Sequence, residues 1–273
     1  MKKIITRIKT FIRMSISPNT LRAIKKLFGR YQIDEVDMIH KYLRNKIHNK
    51  LMIDVGAHYG ESFSNFLYHD WLVYAFEPDS ENYKELEVIS KNKHNLILDQ
   101  RGCSNKSMDN VNFYNSDISS GISSLSAFDS SHKNSAKITT VTIGDFIKEK
   151  TIKEIGFLKI DVEGYDLFVL QGVPWNIIKP EVIVVEYEDR KTKKLGYDYH
   201  DLAQILIDNG YTVLLSQWHP IERYGVKHKW RALTQYPCDL IDSDGWGNIL
   251  AFQDNKLAEI IKGKNWTKTE AFN

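Results

Sequence analysis

The sequence predicts an α/β fold built on a doubly wound sheet that is parallel for most of its width. Three observations predict it. From residue 50 onward, apolar runs of strand length alternate with stretches of helical period, the pattern of strands joined by crossover helices. Residues 157–162 (FLKIDV) and 182–186 (VIVVE) are continuous rather than alternating runs, as in strands buried on both faces. Several runs also end on an acid beside glycine or proline, in IDVG, FEP and IDVEG, and in such sheets ligands bind outside the carboxyl ends of the strands.

In chain order, residues 51–55 (LMIDV) form the first expected strand and residues 62–68 begin a helix. Residues 72–76 (LVYAF) are the second strand, 81–90 a helix, and 96–99 the third strand. Residues 104–135 are rich in Ser, Asn and Asp, and read as loop with a short strand at 111–114. An extended piece at 137–143 precedes a short helix at 145–150. The strands at 157–162 and 182–186 flank a helix at 166–171. A helix over 199–209 stops at Gly210, and strands at 211–215 and 248–252 complete the sheet. The expected organisation is a basic helical extension over 1–45, one domain over 46–256 and a tail over 257–273.

Bulk properties narrow the function classes. The 273 residues are 42% hydrophobic with six tryptophans, enough for one large core. A formal charge of +2 gives no electrostatic footprint for nucleic acid. Cys103 and Cys238 are far apart and form no zinc or redox pattern, which fits a reducing, cytoplasmic setting. No apolar run is long enough to span a bilayer. Residues 1–33 hold nine Lys/Arg and no Asp or Glu. Ile4, Ile8, Phe11 and Ile12 fall at helical spacing there, which suits peripheral membrane contact through residues 1–30, a solvated leader, or a helix packed on the domain.

The stretch LMIDVGAHYGES (51–62) poses the main question: what needs a backbone this open? Its glycines run G-x-x-x-G with no following Lys, so it matches neither the G-x-G-x-x-G dinucleotide fingerprint nor the phosphate loop. Asp54 would repel a pyrophosphate and suits a cation. Glu77, at the end of the second strand, lies where an acid accepts hydrogen bonds from ribose hydroxyls. A ligand with a ribose, an adenine and a cationic amino-acid tail fits both acids, and S-adenosylmethionine is such a ligand. Gly56 and Gly60 would let the backbone pass close to it. The alternatives are a purely structural turn at 54–60 and a helix N-cap at Glu77.

IDVGAHYGES, YAFEPDSENYKEL and LKIDVEGYDLFVLQGV together resemble the FkbM-type methyltransferases. The resemblance implies a class I methyltransferase fold, with a seven-stranded sheet whose last strand is antiparallel. It implies S-adenosylmethionine as cofactor and O-methylation, often of sugars and secondary metabolites. It places Asp54, Gly56, Ala57, Gly60 and Glu77 around the cofactor, and Asp161 and Glu163 at the reacting end. Ser62 and His58 in the corner, Pro78 after Glu77, and Gly102 and Ser104 after the third strand complete the expected cofactor lining. Two departures stand out: Ile143-Gly144-Asp145 replaces the family's Leu-Asp-Asp, and His58 stands where Asn is commoner.

Methyl transfer to a hydroxyl needs a positioned oxygen and a base. Asp161 and Glu163 are two apart, so an extended chain puts them on one face, and close carboxylates raise one another's pKa. Glu186 ends the neighbouring strand. Three carboxylates are also a set a divalent cation would accept, but no ligand spacing is visible in the sequence and no metal is expected. Residues 217–230 (QWHPIERYGVKHKW) mix Trp218, Tyr224 and Trp230 with His219, Arg223 and His228. They suit a ring-bearing acceptor, with Arg223 as an anion clamp and His219 as an alternative base; an ordinary packed loop is the other reading. The Ser-rich stretch 116–131 reads as a lid or a solvated loop. The expected activity is O-methylation of a small-molecule or glycan hydroxyl. The rivals are a non-catalytic binding module of the same fold and an NAD-type oxidoreductase.

Overall fold

The computed structural model describes residues 20, 33–91, 93–116, 132–221 and 228–266. The amphipathic leader, nearly all of the Ser-rich stretch, and Arg223 and Tyr224 lie outside the described residues.

The elements run in the order α1 (Glu35–Leu43), β1 (Leu51–Val55), α2 (Ser64–Tyr68), β2 (Leu72–Phe76), α3 (Ser80–Ser90), β3 (Leu96–Asp99), β4 (Gly102–Cys103), β5 (Met108–Ser116) and β6 (His132–Val141). There follow α4 (Ile143–Glu149), β7 (Phe157–Ile160), α5 (Asp166–Gln171), β8 (Val182–Tyr187), α6 (Asp189–Thr192), α7 (Tyr199–Asp208), β9 (Thr212–Trp218), β10 (Trp230–Gln235), β11 (Trp246–Phe252) and α8 (Asn255–Lys262).

The main sheet has the order β10–β9–β11–β8–β7–β1–β2–β3. Strands β3, β2, β1, β7 and β8 pair in parallel. The last strand in the chain, β11, inserts antiparallel between β8 and β9. These seven strands are the expected sheet. An eighth, β10, adds to the edge antiparallel to β9, in a stretch between the last two expected strands where the sequence reading places no element. A second sheet, β4–β6–β5, stands apart, built from the two extended pieces expected near 111 and 137.

Period-2 alternation divides the strands between two cores. Ile53, Val55, Leu158, Ile160, Ile183 and Val185 face α4, α5 and α7. Met52, Val73, Phe157, Val182, Val184 and Leu250 face α1, α2 and α8. Helices on both faces explain why β7 and β8 are unbroken apolar runs. The expected boundaries at 45 and 256 do not mark a break in packing, because Ile39 and Leu43 of α1 and Leu257 and Ile261 of α8 share one core with the sheet. Glu35 fastens α1 down: its buried Oε1 accepts from Ser216 Oγ and from Trp218 Nε1, each at 2.6 Å. Among the described residues no helix is long and apolar enough to cross a membrane.

Candidate active site at the carboxyl edge of the sheet

The parallel strands all end on one edge, and the singled-out residues gather there. At the β1 corner, Asp54 is fully buried. Its Oδ2 accepts a very short hydrogen bond from the Ser62 hydroxyl, and its Oδ1 lies 3.3 Å from Lys159 Nζ. The corner's openness has an internal cause. Gly56 has φ +84°, and a Cβ there would sit 1.9 Å from the Asp161 carbonyl oxygen. At Gly60, φ +76°, it would sit 2.5 Å from the Phe63 ring. What a side chain at these glycines would meet is the protein's own β7 tip and α2 entry. The backbone N–H groups of Gly56 and Ala57 both reach the Phe76 carbonyl, at 3.1 and 2.9 Å, which ties the corner to β2.

Glu77 follows β2 and is buried. Its Oε2 accepts from the His58 N–H at 2.7 Å and its Oε1 from the Asp79 N–H at 2.9 Å. Burial pushes its carboxyl up to about 7 despite these two donors. The N-cap alternative fails, because the cap of α3 is Asp79, whose Oδ1 accepts from Glu81 N and Asn82 N at 2.9 Å. His58 sits at φ +48°, and burial lowers its imidazole pKa. Its backbone N–H, rather than its side chain, makes the contact that orders Glu77.

Beside Glu77 a cavity of about 570 Å³ opens between Pro78–Ser80, Asp99–Arg101 and the second sheet's Phe113 and Ile138. Arg101 lines it, with Nη2 at 2.6 Å from Asp99 and 2.9 Å from Glu149. Gly102 and Ser104 do not line it. Gly102 pairs with Thr140 in the second sheet, and Ser104 N donates to the Val141 carbonyl at 3.1 Å. The chain turns into β4 at once after Arg101, which carries both residues away from the cavity.

The acids at the tips of β7 and β8 do converge. Carboxylate oxygens of Asp161, Glu163 and Glu186 all lie within 4.8 Å of one another, as their places at adjacent strand tips imply. Asp161 Oδ2 lies 3.3 Å from Lys159 Nζ. Glu163, at φ +55°, accepts from Lys191 Nζ at 2.5 Å, and Lys191 also reaches Glu188 at 2.6 Å. Burial pushes Glu163 up to about 7, with Lys191 opposing and Asp161 reinforcing the rise. Glu186 is pushed well above the ordinary carboxylate range by burial and by Asp161. Among the described residues no cation lies within ion-pair distance of Glu186. Two of the three carboxylates thus face ammonium groups, while the three together remain close enough for one divalent cation to reach them all. Asp166 holds the β7 loop by accepting from Val162 N and Gly164 N, each at 3.0 Å.

The aromatic segment is mostly structural. Trp218 is buried, donates to Glu35 and stacks on Trp246 at 5.3 Å. Trp230 stacks on Trp266 at 5.8 Å. His219 is exposed past the end of β9, two strands away from β8, roughly 10 Å across the sheet. It is not brought to the carboxylates.

Sequence reasoning missed two residues, Lys159 and Lys191. Lys159 lies in the register row of Asp54, and its Nζ also donates to the Gly56 carbonyl at 3.0 Å. One ammonium therefore joins the β1 corner to the β7 tip. The signal was present, since a lysine inside a strand buried on both faces requires an anionic partner.

This edge, with the strand order and the antiparallel insertion, defines a class I methyltransferase fold. The sequence matches the family described as "Methyltransferase FkbM domain" over residues 54–213, and the chain belongs to the FkbM methyltransferase family. That membership removes the hydride-transfer alternative. No curated protein matches the chain. Among solved structures it is similar to magnesium protoporphyrin IX methyltransferase from Synechocystis PCC 6803 with bound SAH, at 10% identity and a TM-score of 0.42, over 90% of this chain and 99% of that one. It is also similar to precorrin-6y C5,15-methyltransferase from Geobacter metallireducens, at 13% identity and a TM-score of 0.42, over 80% and 86% of the two chains. An rRNA methylase from Streptococcus thermophilus shows 9% identity and a TM-score of 0.41, over 82% and 99%. The fold assignment rests on the topology and the family match rather than on these distant likenesses.

Proposed function

We propose that this methyltransferase uses S-adenosylmethionine and methylates a hydroxyl oxygen of a small polyhydroxylated or glycan acceptor. The residues present fit the cofactor. Each Glu77 oxygen keeps a lone pair beyond its backbone donor, so the carboxylate can accept ribose hydroxyls. The cavity between Pro78 and Arg101 accommodates a flat heterocycle. When bound, the cofactor supplies an electrophilic methyl group on a sulfonium.

The roles of the corner acids change with the geometry. Asp54 has no exposed oxygen and is balanced by Lys159 and Ser62. It acts by fixing the corner rather than by touching a cationic tail. Asp161 is 36% exposed and held from behind by Lys159, so its free oxygen faces the site.

The observation that carries the oxygen-nucleophile reading is the state of Glu186. It is a carboxylate at the edge of the site, clustered with Asp161 and Glu163 and raised in pKa by burial and by Asp161 although Lys191 opposes the rise, which suits a base working near neutral pH. Glu163 and Asp161 are tied to lysines and serve to position and to raise Glu186. The proton of the reacting hydroxyl passes to Glu186 as its oxygen takes the methyl group.

The test is transfer of an isotopically labelled methyl from S-adenosylmethionine to a panel of sugar and polyol acceptors, followed by fragmentation of the product. A label on oxygen that Glu186→Gln abolishes supports the reading. A label on nitrogen or carbon, or full activity in Glu186→Gln, would overturn it.

A further inference from the structure

Alternation along the strands puts Glu186 in line with Val182 and Val184, Asn248 in line with Leu250 and Phe252, and Ser216 in line with Leu214, all on the face of the second core. Register sets Glu186 opposite Asn248 and Asn248 opposite Ser216. Ile160 pairs with Val185, so one residue further Asp161 stands beside Glu186. One polar level therefore crosses the sheet: Asp161, Glu186, Asn248, Ser216.

The two ends of this level are engaged. Asp161 has Lys159 at 3.3 Å. Ser216 Oγ donates to Glu35 at 2.6 Å and accepts from Trp230 Nε1 at 3.0 Å. The two middle members are not. Both Glu186 and Asn248 are partly exposed, and among the described residues neither side chain has a hydrogen-bond partner. Two residues before Asn248 on the same face, Trp246 carries a buried indole N–H with no acceptor. Its ring stacks on Trp218 and meets the His228 ring edge-on at 5.4 Å. Buried polar groups are paired as a rule, and the Trp246 N–H is an exception to it; Glu186 and Asn248, partly exposed and with no protein partner, are open to a ligand.

We propose that Glu186 and Asn248 form the acceptor subsite and together take two neighbouring hydroxyls of one ligand, a vicinal diol. The proposal rests on the methyltransferase reading and specifies the substrate class of the same edge. A carboxylate only accepts, an amide donates and accepts, and an indole N–H only donates. A hydroxyl does both. Directly opposed residues hold their Cβ atoms about 4.5–5.5 Å apart, a span that adjacent ring hydroxyls bridge. The hydroxyl at Glu186 is the one deprotonated. Its neighbour accepts from the Asn248 amide and lies toward the Trp246 indole. A single-hydroxyl acceptor leaves one member of the pair unsatisfied and is disfavoured.

The test uses the Trp246 indole N–H as reporter, its resonance assigned through Trp246→Phe. The full chain is titrated with the methyl glycosides of glucose, galactose, mannose and rhamnose, and with cyclohexanol, each with S-adenosylhomocysteine present. A saturable shift with at least one glycoside, not reproduced by cyclohexanol and weakened about tenfold in Asn248→Leu, is expected for the loss of one hydrogen bond. Asn248→Asp, which keeps the shape, serves if the leucine variant does not fold. No shift with any glycoside, an undiminished shift in both variants, or an equal response to cyclohexanol overturns the diol subsite. Calorimetric binding of S-adenosylhomocysteine, measured separately, decides the reading beneath it, so the two failures are distinguishable.

Discussion

Replacing Lys159 by methionine tests the geometry of the edge most sharply. The lysine is 11% exposed, with Asp54 and Asp161 each 3.3 Å from its Nζ and the Gly56 carbonyl at 3.0 Å. Asp161 has solvent to turn to; Asp54, fully buried, has only the Ser62 hydroxyl left. Removing one partner of a buried pair costs roughly 3–5 kcal/mol, because the remaining charge is uncompensated. The pH dependence has a definite sign. Burial already raises the Asp54 pKa and Lys159 is the main group opposing that rise, so the variant raises it further. The folded acid then holds its proton where the unfolded one, near 3.9, has lost it. The penalty is therefore small at low pH and grows as pH rises toward the folded pKa. Urea unfolding at pH 5 and pH 8 should show a deficit against wild type that is larger at pH 8, and Asp54→Asn added to Lys159→Met should recover most of it. A deficit below about 1 kcal/mol, one that does not narrow at pH 5, or no recovery in the double variant would refute the argument.

Three further outcomes follow from the same geometry. Glu77, raised to about 7 by burial, is protonated in the folded state below that pH, so stability contributed by the neutral acid falls as pH rises from about 4 toward 7; Glu77→Gln should flatten that fall in thermal unfolding across the range. Glu186→Gln should lower kcat by about 10²–10⁴-fold, the worth of a general base, with cofactor affinity unchanged in calorimetry; an equal loss in both would assign Glu186 to binding. Gly56→Ala meets the Asp161 carbonyl at 1.9 Å and a φ of +84°; the backbone strain alone costs on the order of 1–3 kcal/mol, so soluble yield and midpoint should both drop, and a neutral effect would mean that the corner is looser than the packing shows.

Much of the edge was legible in the sequence, for particular reasons. β1, β2 and β3 were placed at their observed bounds because each is a short apolar run closed by turn-forming residues, Gly56 after β1, Pro78 shortly after β2 and Gly102 shortly after β3. The convergence of Asp161 with Glu186 followed from their places at adjacent strand tips. What was not legible depends on contacts distant in the chain. Glu35 seals α1 through Ser216, 181 residues away, so a helix that reads as part of a basic extension belongs to the core. β10 escaped notice because WRALTQ is partly polar on an edge with only one partner strand. The glycine corner has an internal cause that the pattern alone does not give. The pattern announces a backbone that cannot carry side chains, but not which distant groups crowd it, and these are the Asp161 carbonyl and the Phe63 ring. Gly102 and Ser104 were assigned by position after a strand, and the immediate turn into a second sheet took them elsewhere.

The most direct test of the central claim is calorimetric titration of the full chain and of Glu77→Ala with S-adenosylmethionine, beside NAD. The account predicts micromolar binding of S-adenosylmethionine, about −8 kcal/mol, clearly weakened in Glu77→Ala, and no binding of NAD. A folded chain that ignores S-adenosylmethionine, or a Glu77→Ala variant that binds it as tightly as wild type, would contradict the account.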